Sequence, residues 1–138
     1  MRKLDHILII DDDQVNSLFS QIILEDADVA ETASVCYSVP EALDFLQSAS
    51  TSHDTVFPDL ILLDLIMPGL SGFDFLDRYY QLDYNKTQEA QICAFTSYGN
   101  EEHLEKLRKY DVIIGLTPKP LSVLNLQNIL SKCTYKYL

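Results

Sequence analysis

Four short apolar runs, HILII (6–10), LILL (60–63), ICAF (92–95) and VIIGL (112–116), constrain what this chain can fold into more than any other feature. Each is nearly continuous and partly β-branched, the pattern of a strand buried on both faces rather than one with a wet side. A fifth, weaker strand is expected in VAETASVCY (29–37). The segments between them carry helical spacing instead. Val15, Leu18, Phe19, Ile22 and Ile23 fall at i, i+3, i+4, i+7 and i+8, the stripe of an amphipathic helix. Val39, Ala42, Leu43 and Leu46 repeat that stripe behind a capping-box signature, Ser38-x-x-Glu41. Three more amphipathic helices are expected at about 72–82, 99–109 and 121–133. The order is therefore (βα)5. Strands and helices alternating at this length favour an α/β doubly wound fold, a parallel sheet with helices on both faces joined by right-handed crossovers. At 138 residues and 47% hydrophobic content, a single domain spanning 1–138 is expected. The polar stretch QSASTSHDT (47–55) reads as a surface loop before the third strand.

Ligands of an open α/β sheet bind in the crevice beyond the carboxyl ends of the strands. What ends each strand is therefore the functional question. The first run ends in Asp11-Asp12-Asp13, the third strand in Asp64, the fourth in Thr96-Ser97, and the fifth is followed by Lys119-Pro120. Carboxylates, a hydroxyl and an ammonium from four separate segments converge on one edge. Close carboxylates raise one another's pKa unless a cation intervenes, and hard oxygen ligands with room for water suit Mg2+. A carboxylate is also a competent nucleophile toward phosphorus. Phosphoryl transfer needs little beyond a metal, a cation and hydrogen-bond donors around the phosphoryl oxygens. Asp64 as acceptor, a metal on Asp12, and Lys119 and Thr96 on the phosphoryl oxygens would supply all of these.

The stretches ILIIDDD, LILLDLIMPGLSGFDFL, ICAFTS and TPKPL, in this order, resemble the response-regulator receiver domain of two-component signalling, the CheY-like fold. The likeness runs from His6 to about Cys133, and Asp64-x-x-Met67-Pro68-x-x-Ser71-Gly72 is its most specific part. The resemblance implies a five-stranded parallel sheet of order 2-1-3-4-5 and phosphorylation of Asp64 by a sensor histidine kinase or a histidine phosphotransfer protein. It further implies Mg2+ held by Asp12, Asp64 and the main-chain carbonyl of Ile66, with Asp11 helping through water, and a cis peptide between Lys119 and Pro120. The output face it implies is the fourth helix, fifth strand and fifth helix, through which an effector protein would be contacted.

Two positions depart from the family's habit. Leu116 stands where an aromatic ring usually moves inward on phosphorylation, so signalling is expected to rest more on Thr96 and its loop. Leu121 follows Lys119-Pro120 where phenylalanine is frequent. The spacing from Asp12 to Asp64 is also longer than usual, an excess assigned to the 47–55 loop. Ile66 and Tyr98 flank the path of a hydrolytic water in this family; neither a bare aliphatic chain nor a covering ring orients that water, so slow self-dephosphorylation is expected.

Other residues have simpler uses. Asp13 precedes the first helical stripe and reads as an N-cap, outside the metal site. Met67 and Phe73 read as core, and Pro68-Gly69 as a turn. His6, His53 and His103 are scattered, without a partner that would make one a catalytic base. Glu101-Glu102 and the later Lys106, Arg108 and Lys109 match a helix macrodipole or shape a partner-facing surface.

Ten basic against 21 acidic residues give a formal net charge of −11 with no basic stripe, which disfavours direct nucleic-acid binding. Cys36, Cys93 and Cys133 are far apart, with no C-x-x-C pair, and read as buried reduced thiols of a cytoplasmic protein. LILLDLIMPGL is broken by Asp64 and too short to span a membrane. An enzymatic alternative reads Asp11-x-Asp13-x-Val15 as the signature of haloacid-dehalogenase-type phosphatases, with Asp11 as nucleophile and Asp13 as acid/base. That family needs a late acidic motif, and the 19 residues after Lys119 contain neither Asp nor Glu. A third alternative is a receiver that binds partners without being phosphorylated.

Overall fold

The computed structural model describes residues 3–82, 90–96 and 101–133. Its elements alternate as β1 (Leu4–Ile10), α1 (Gln14–Ala27), β2 (Ala30–Cys36), α2 (Val39–Thr51), β3 (Leu60–Asp64), α3 (Gly72–Tyr80), β4 (Gln91–Thr96), α4 (Glu101–Leu107), β5 (Ile113–Pro118) and α5 (Val123–Lys132). The strands form one parallel sheet of order β2-β1-β3-β4-β5, as the resemblance implied. The 99–109 helix is described from Glu101 onward. No helix among the described residues is long and apolar enough to cross a membrane.

Side chains alternate across a strand, so each apolar run feeds two cores at once. Leu8, Ile10, Ile61, Leu63, Ile92 and Ala94 pack with residues of α2 and α3 on one face. Ile7, Ile9, Leu60, Leu62, Cys93 and Phe95 pack with residues of α1 and α5 on the other. Removing a Leu or Ile side chain fully from water contributes about 1.5–3 kcal/mol, which makes these continuous runs the main source of stability. The three cysteines are free and buried, and burial pushes the Cys36 and Cys93 thiols up to about 12 and Cys133 to about 11. His6 is a buried structural residue: its ring nitrogens bond the Val56 carbonyl and the Ser34 hydroxyl.

Two expectations are corrected. The amphipathic stripe of α1 should face the sheet, yet Val15 is 79% and Leu18 59% exposed, with Phe19 and Ile22 also open to solvent. The helix instead buries Ser17, Ser20 and Leu24, and of the stripe only Ile23 packs against the core. The cause is the start of the helix. Asp13 caps it, accepting the Asn16 N–H at 3.0 Å, while the Asp13 carbonyl accepts the Ser17 N–H at 2.9 Å. That start sets a rotational phase that turns small serines toward the sheet. The polar loop at 47–55 is also shorter than expected, because α2 runs on to Thr51. Ala49 is buried on its inner side, and the Ser50 and Thr51 hydroxyls bond carbonyls one turn back, so the polar residues up to Thr51 are largely the wet side of a helix.

Candidate functional site

Parallel pairing brings the strand ends level. Ile10 lies opposite both Cys36 and Leu63, Asp64 opposite Phe95, and Thr96 opposite Pro118. Asp11, Asp64, Thr96 and Lys119 therefore emerge along one edge although they are spread over more than a hundred residues of chain. Lys119 is drawn in further by its N–H, which donates to the Thr96 carbonyl at 2.8 Å, and the Lys119–Pro120 peptide is cis.

The side chains meet around the lysine. The Lys119 ammonium lies 2.9 Å from Asp11 Oδ2 and 3.0 Å from Asp64 Oδ2. Asp11 is 0% and Asp64 2% exposed, and the Lys119 side chain only 13%. Two buried carboxylates are thus joined by one buried cation. The second oxygen of each is held by main chain: the Asp13 N–H donates to Asp11 Oδ1 at 3.0 Å, and the Ile66 N–H to Asp64 Oδ1 at 3.1 Å. Asp12 projects into solvent beside them, and one oxygen from each of Asp11, Asp12 and Asp64 falls within 4.8 Å of the others. Thr96 is buried at the same edge.

Burial pushes the Asp64 carboxyl up to about 6, against the bonds from Lys119 and the Ile66 N–H and the Lys119 charge, which pull it down; the Asp11 charge adds to the rise. Burial works against the Lys119 ammonium as well, but its bonds to Asp11 and Asp64 outweigh that and raise its pKa. With three carboxylates ionised against one ammonium the cluster carries 3 − 1 = 2 excess negative charges. An acidic oxygen cluster of this size can bind a divalent metal, and its hard donors fit Mg2+ rather than a thiolate-seeking ion.

Asp13 stays out of the cluster as the α1 cap, so it is not placed to act as the acid/base of a phosphatase. Ile66 is 56% exposed next to Asp64, whereas Ser97 and Tyr98 lie outside the described residues. Leu116 is half-buried against the α2/α3-side core. Gly69 adopts φ 78 directly after Pro68, as the turn reading requires.

One site residue, Asn16, escaped the sequence reading, and a second, Gly72, was read only as part of a motif and not for its contact. The Asn16 side-chain amide donates to Asp11 Oδ2 at 2.7 Å, on the same oxygen that Lys119 holds. Its signal was present: an amide one helical turn beyond the acid pair. Gly72 opens α3 against the backbone of the acceptor strand, where a Cβ would lie 2.4 Å from the Asp64 carbonyl oxygen and 2.8 Å from Leu65 Cα. Ser71 caps α3 reciprocally with Asp74, which locks that approach in place.

A family model of the response regulator receiver domain matches residues 7–131. The chain belongs to this family, a receiver of two-component signalling. Among solved structures, it superposes on a two component response regulator from Cytophaga hutchinsonii with a TM-score of 0.87 at 24% identity, covering 96% of this chain and 98% of that one. The chemotaxis protein CheY4 of Vibrio cholerae matches with a TM-score of 0.74 at 21% identity, covering 95% of this chain and 99% of that one. An uncharacterized 14.6 kDa protein of Leptolyngbya boryana is 31% identical over 96 residues, which are 70% of this chain and 65% of that protein's length.

Proposed function

We propose that this receiver accepts a phosphoryl group on Asp64 from a phosphohistidine and passes the signal on by protein contact. The observation that carries the reading is the buried Asp64 carboxylate at a strand end, held by Lys119 and the Ile66 N–H beside two further acids. In the transfer, a carboxylate oxygen bonds to phosphorus as the phosphorus–nitrogen bond of the donor breaks. The electron pair goes to the imidazole nitrogen, which takes up a proton. Lys119 and the Thr96 hydroxyl neutralise and hold the phosphoryl oxygens. Asp12, Asp64 and the Ile66 carbonyl would hold Mg2+, with Asp11 through water, and the metal would supply charge neutralisation at those oxygens. A cytoplasmic setting goes with this reading. The test is intact mass after incubation with acetyl phosphate: a gain of one phosphoryl group that requires Mg2+ supports it, and no gain by the folded protein overturns it.

The donor is a sensor histidine kinase or a histidine phosphotransfer protein. Because Asp64 is almost fully buried, any protein that delivers phosphorus to it must cover the ground around it. The outward stripe of α1 starts there, since Asn16 on that helix bonds Asp11. Val15, Leu18, Phe19 and Ile22 present an uncharged apolar strip suited to an apolar helical partner. Phe19→Asp together with Ile22→Asp is expected to slow transfer from a phosphohistidine protein at least tenfold and leave the acetyl phosphate rate unchanged. Equal slowing with both donors would place the defect in the acceptor site instead.

The effector face is α4, β5 and α5, where a groove of about 350 Å3 runs between Leu104 and Leu107 of α4 and Ile113 and Gly115 of β5. The phosphoryl group is long-lived, because exposed Ile66 offers a hydrolytic water no hydrogen bond. Ile66→Asn is expected to shorten the lifetime of the phosphorylated protein several-fold; an unchanged decay of the mass peak would refute the role of this position.

A further inference from the structure

Asp11 is fully buried and accepts three hydrogen bonds, one more than its lysine and main-chain partners supply. Oδ1 takes the Asp13 N–H, while Oδ2 takes both the Lys119 ammonium at 2.9 Å and the Asn16 amide at 2.7 Å. In the unphosphorylated site the amide duplicates what the ammonium already provides. The duplication acquires a use if Lys119 has to leave. Once Asp64 carries a phosphoryl group, the phosphoryl oxygens hold more negative charge than Asp11 and draw the ammonium toward themselves. Without a second protein donor, Asp11 Oδ2 would then keep no direct protein partner for a buried charge, a state that opposes the lysine's departure.

We propose that Asn16 is a positioning residue that keeps Asp11 satisfied and oriented, and thereby releases Lys119 to the phosphoryl group. The inference rests on Asp64 being the phosphoacceptor. Its geometry is built in by the start of α1. Asp13 Oδ1 accepts the backbone N–H of Asn16 at 3.0 Å, which sets the first turn so that the Asn16 side chain reaches back to Asp11. The cap uses the backbone of Asn16 and not its amide, so removing the amide leaves the cap intact.

That separation makes the role testable. Asn16→Ala is expected to melt within a few degrees of wild type but to gain phosphate from acetyl phosphate and Mg2+ about tenfold more slowly. Its affinity for Mg2+, read by calorimetry with no phosphodonor present, should fall several-fold as Asp11 loses its fixed orientation. Asn16→Gln, which retains an amide donor on a longer arm, should recover most of the rate. Wild-type rate and wild-type Mg2+ affinity in Asn16→Ala would overturn the proposal, as would a lowered melting temperature with an unchanged rate, which marks a structural role only. Failure of the wild-type protein itself to gain phosphate overturns the phosphoacceptor reading and this inference with it; a reactive wild type matched by Asn16→Ala overturns the inference alone.

Discussion

Asp64→Asn, incubated with acetyl phosphate and Mg2+, should stay at its unmodified mass while the wild-type protein gains one phosphoryl group. The loss should be complete, because an amide oxygen offers phosphorus no anionic nucleophile. Asp11 is not expected to take over: it is fully buried and holds three donors, from Asp13, Lys119 and Asn16, where Asp64 holds two, from Ile66 and Lys119. The same variant carries a second signature. The Asp64 carboxyl sits at about 6, raised from 3.8 by burial, so the native state binds its proton more tightly than the unfolded chain does. Stability from this group is therefore present below the unfolded value and lost as pH rises through about 6. The amide has no such loss. In metal-free buffer the stability of Asp64→Asn relative to wild type should grow between pH 4 and 6 and level off above, by on the order of 2 kcal/mol. Denaturant midpoints of the two proteins across that range measure it, and a pH-independent difference would mean that Asp64 ionises without penalty.

Lys119→Ala should cost more than any other single change in the site. It removes the cation that bridges Asp11 and Asp64 and leaves two nearly inaccessible carboxylates facing each other. Breaking a buried charge pair by deleting one partner typically costs about 3–5 kcal/mol, which for a chain of this size lowers Tm by roughly 10 °C. The deficit should depend on conditions in a way an ordinary packing defect does not. Without the lysine the Asp64 carboxyl holds its proton to still higher pH, so the loss is greatest at neutral pH and shrinks as the carboxyl protonates. Mg2+ should restore part of the stability by replacing the missing positive charge. Phosphate uptake should stay low even then, since Lys119 also serves the phosphoryl oxygens. A variant as stable as wild type at pH 7.5 in chelator would show that the carboxylates do not need the lysine to stay buried.

Much of this site was legible because its parts end apolar runs. Asp11, Asp12, Asp64 and Thr96 each follow a stretch that can only be a buried strand, and parallel strands in one sheet must finish on one edge. Asp13 as a cap was legible for a similar reason, since it stands between a strand and a helical stripe. Asn16 was harder to see. Its partner Asp11 lies five residues away, and only the phase of the first turn decides whether the amide points at it or at solvent. Gly72 was noticed as part of a motif, but not as the point where α3 meets the acceptor strand's backbone, because a contact distance has no counterpart in a residue pattern.

By itself the sequence determined the (βα)5 order, the two-sided burial of the strands and the set of chemical groups at their ends. These follow from hydrophobic periodicity and from which residue types can follow a strand, both local properties of the chain. Tertiary structure alone decided which face of α1 is buried, how far α2 extends and which donors Asp11 shares. Periodicity identifies a stripe without saying what lies opposite it, and on α1 the cap at Asp13 gave the sheet small serines and left the apolar stripe in water. The pairing of one ammonium with two carboxylates from three distant segments likewise exists only once the sheet has set their strand ends side by side.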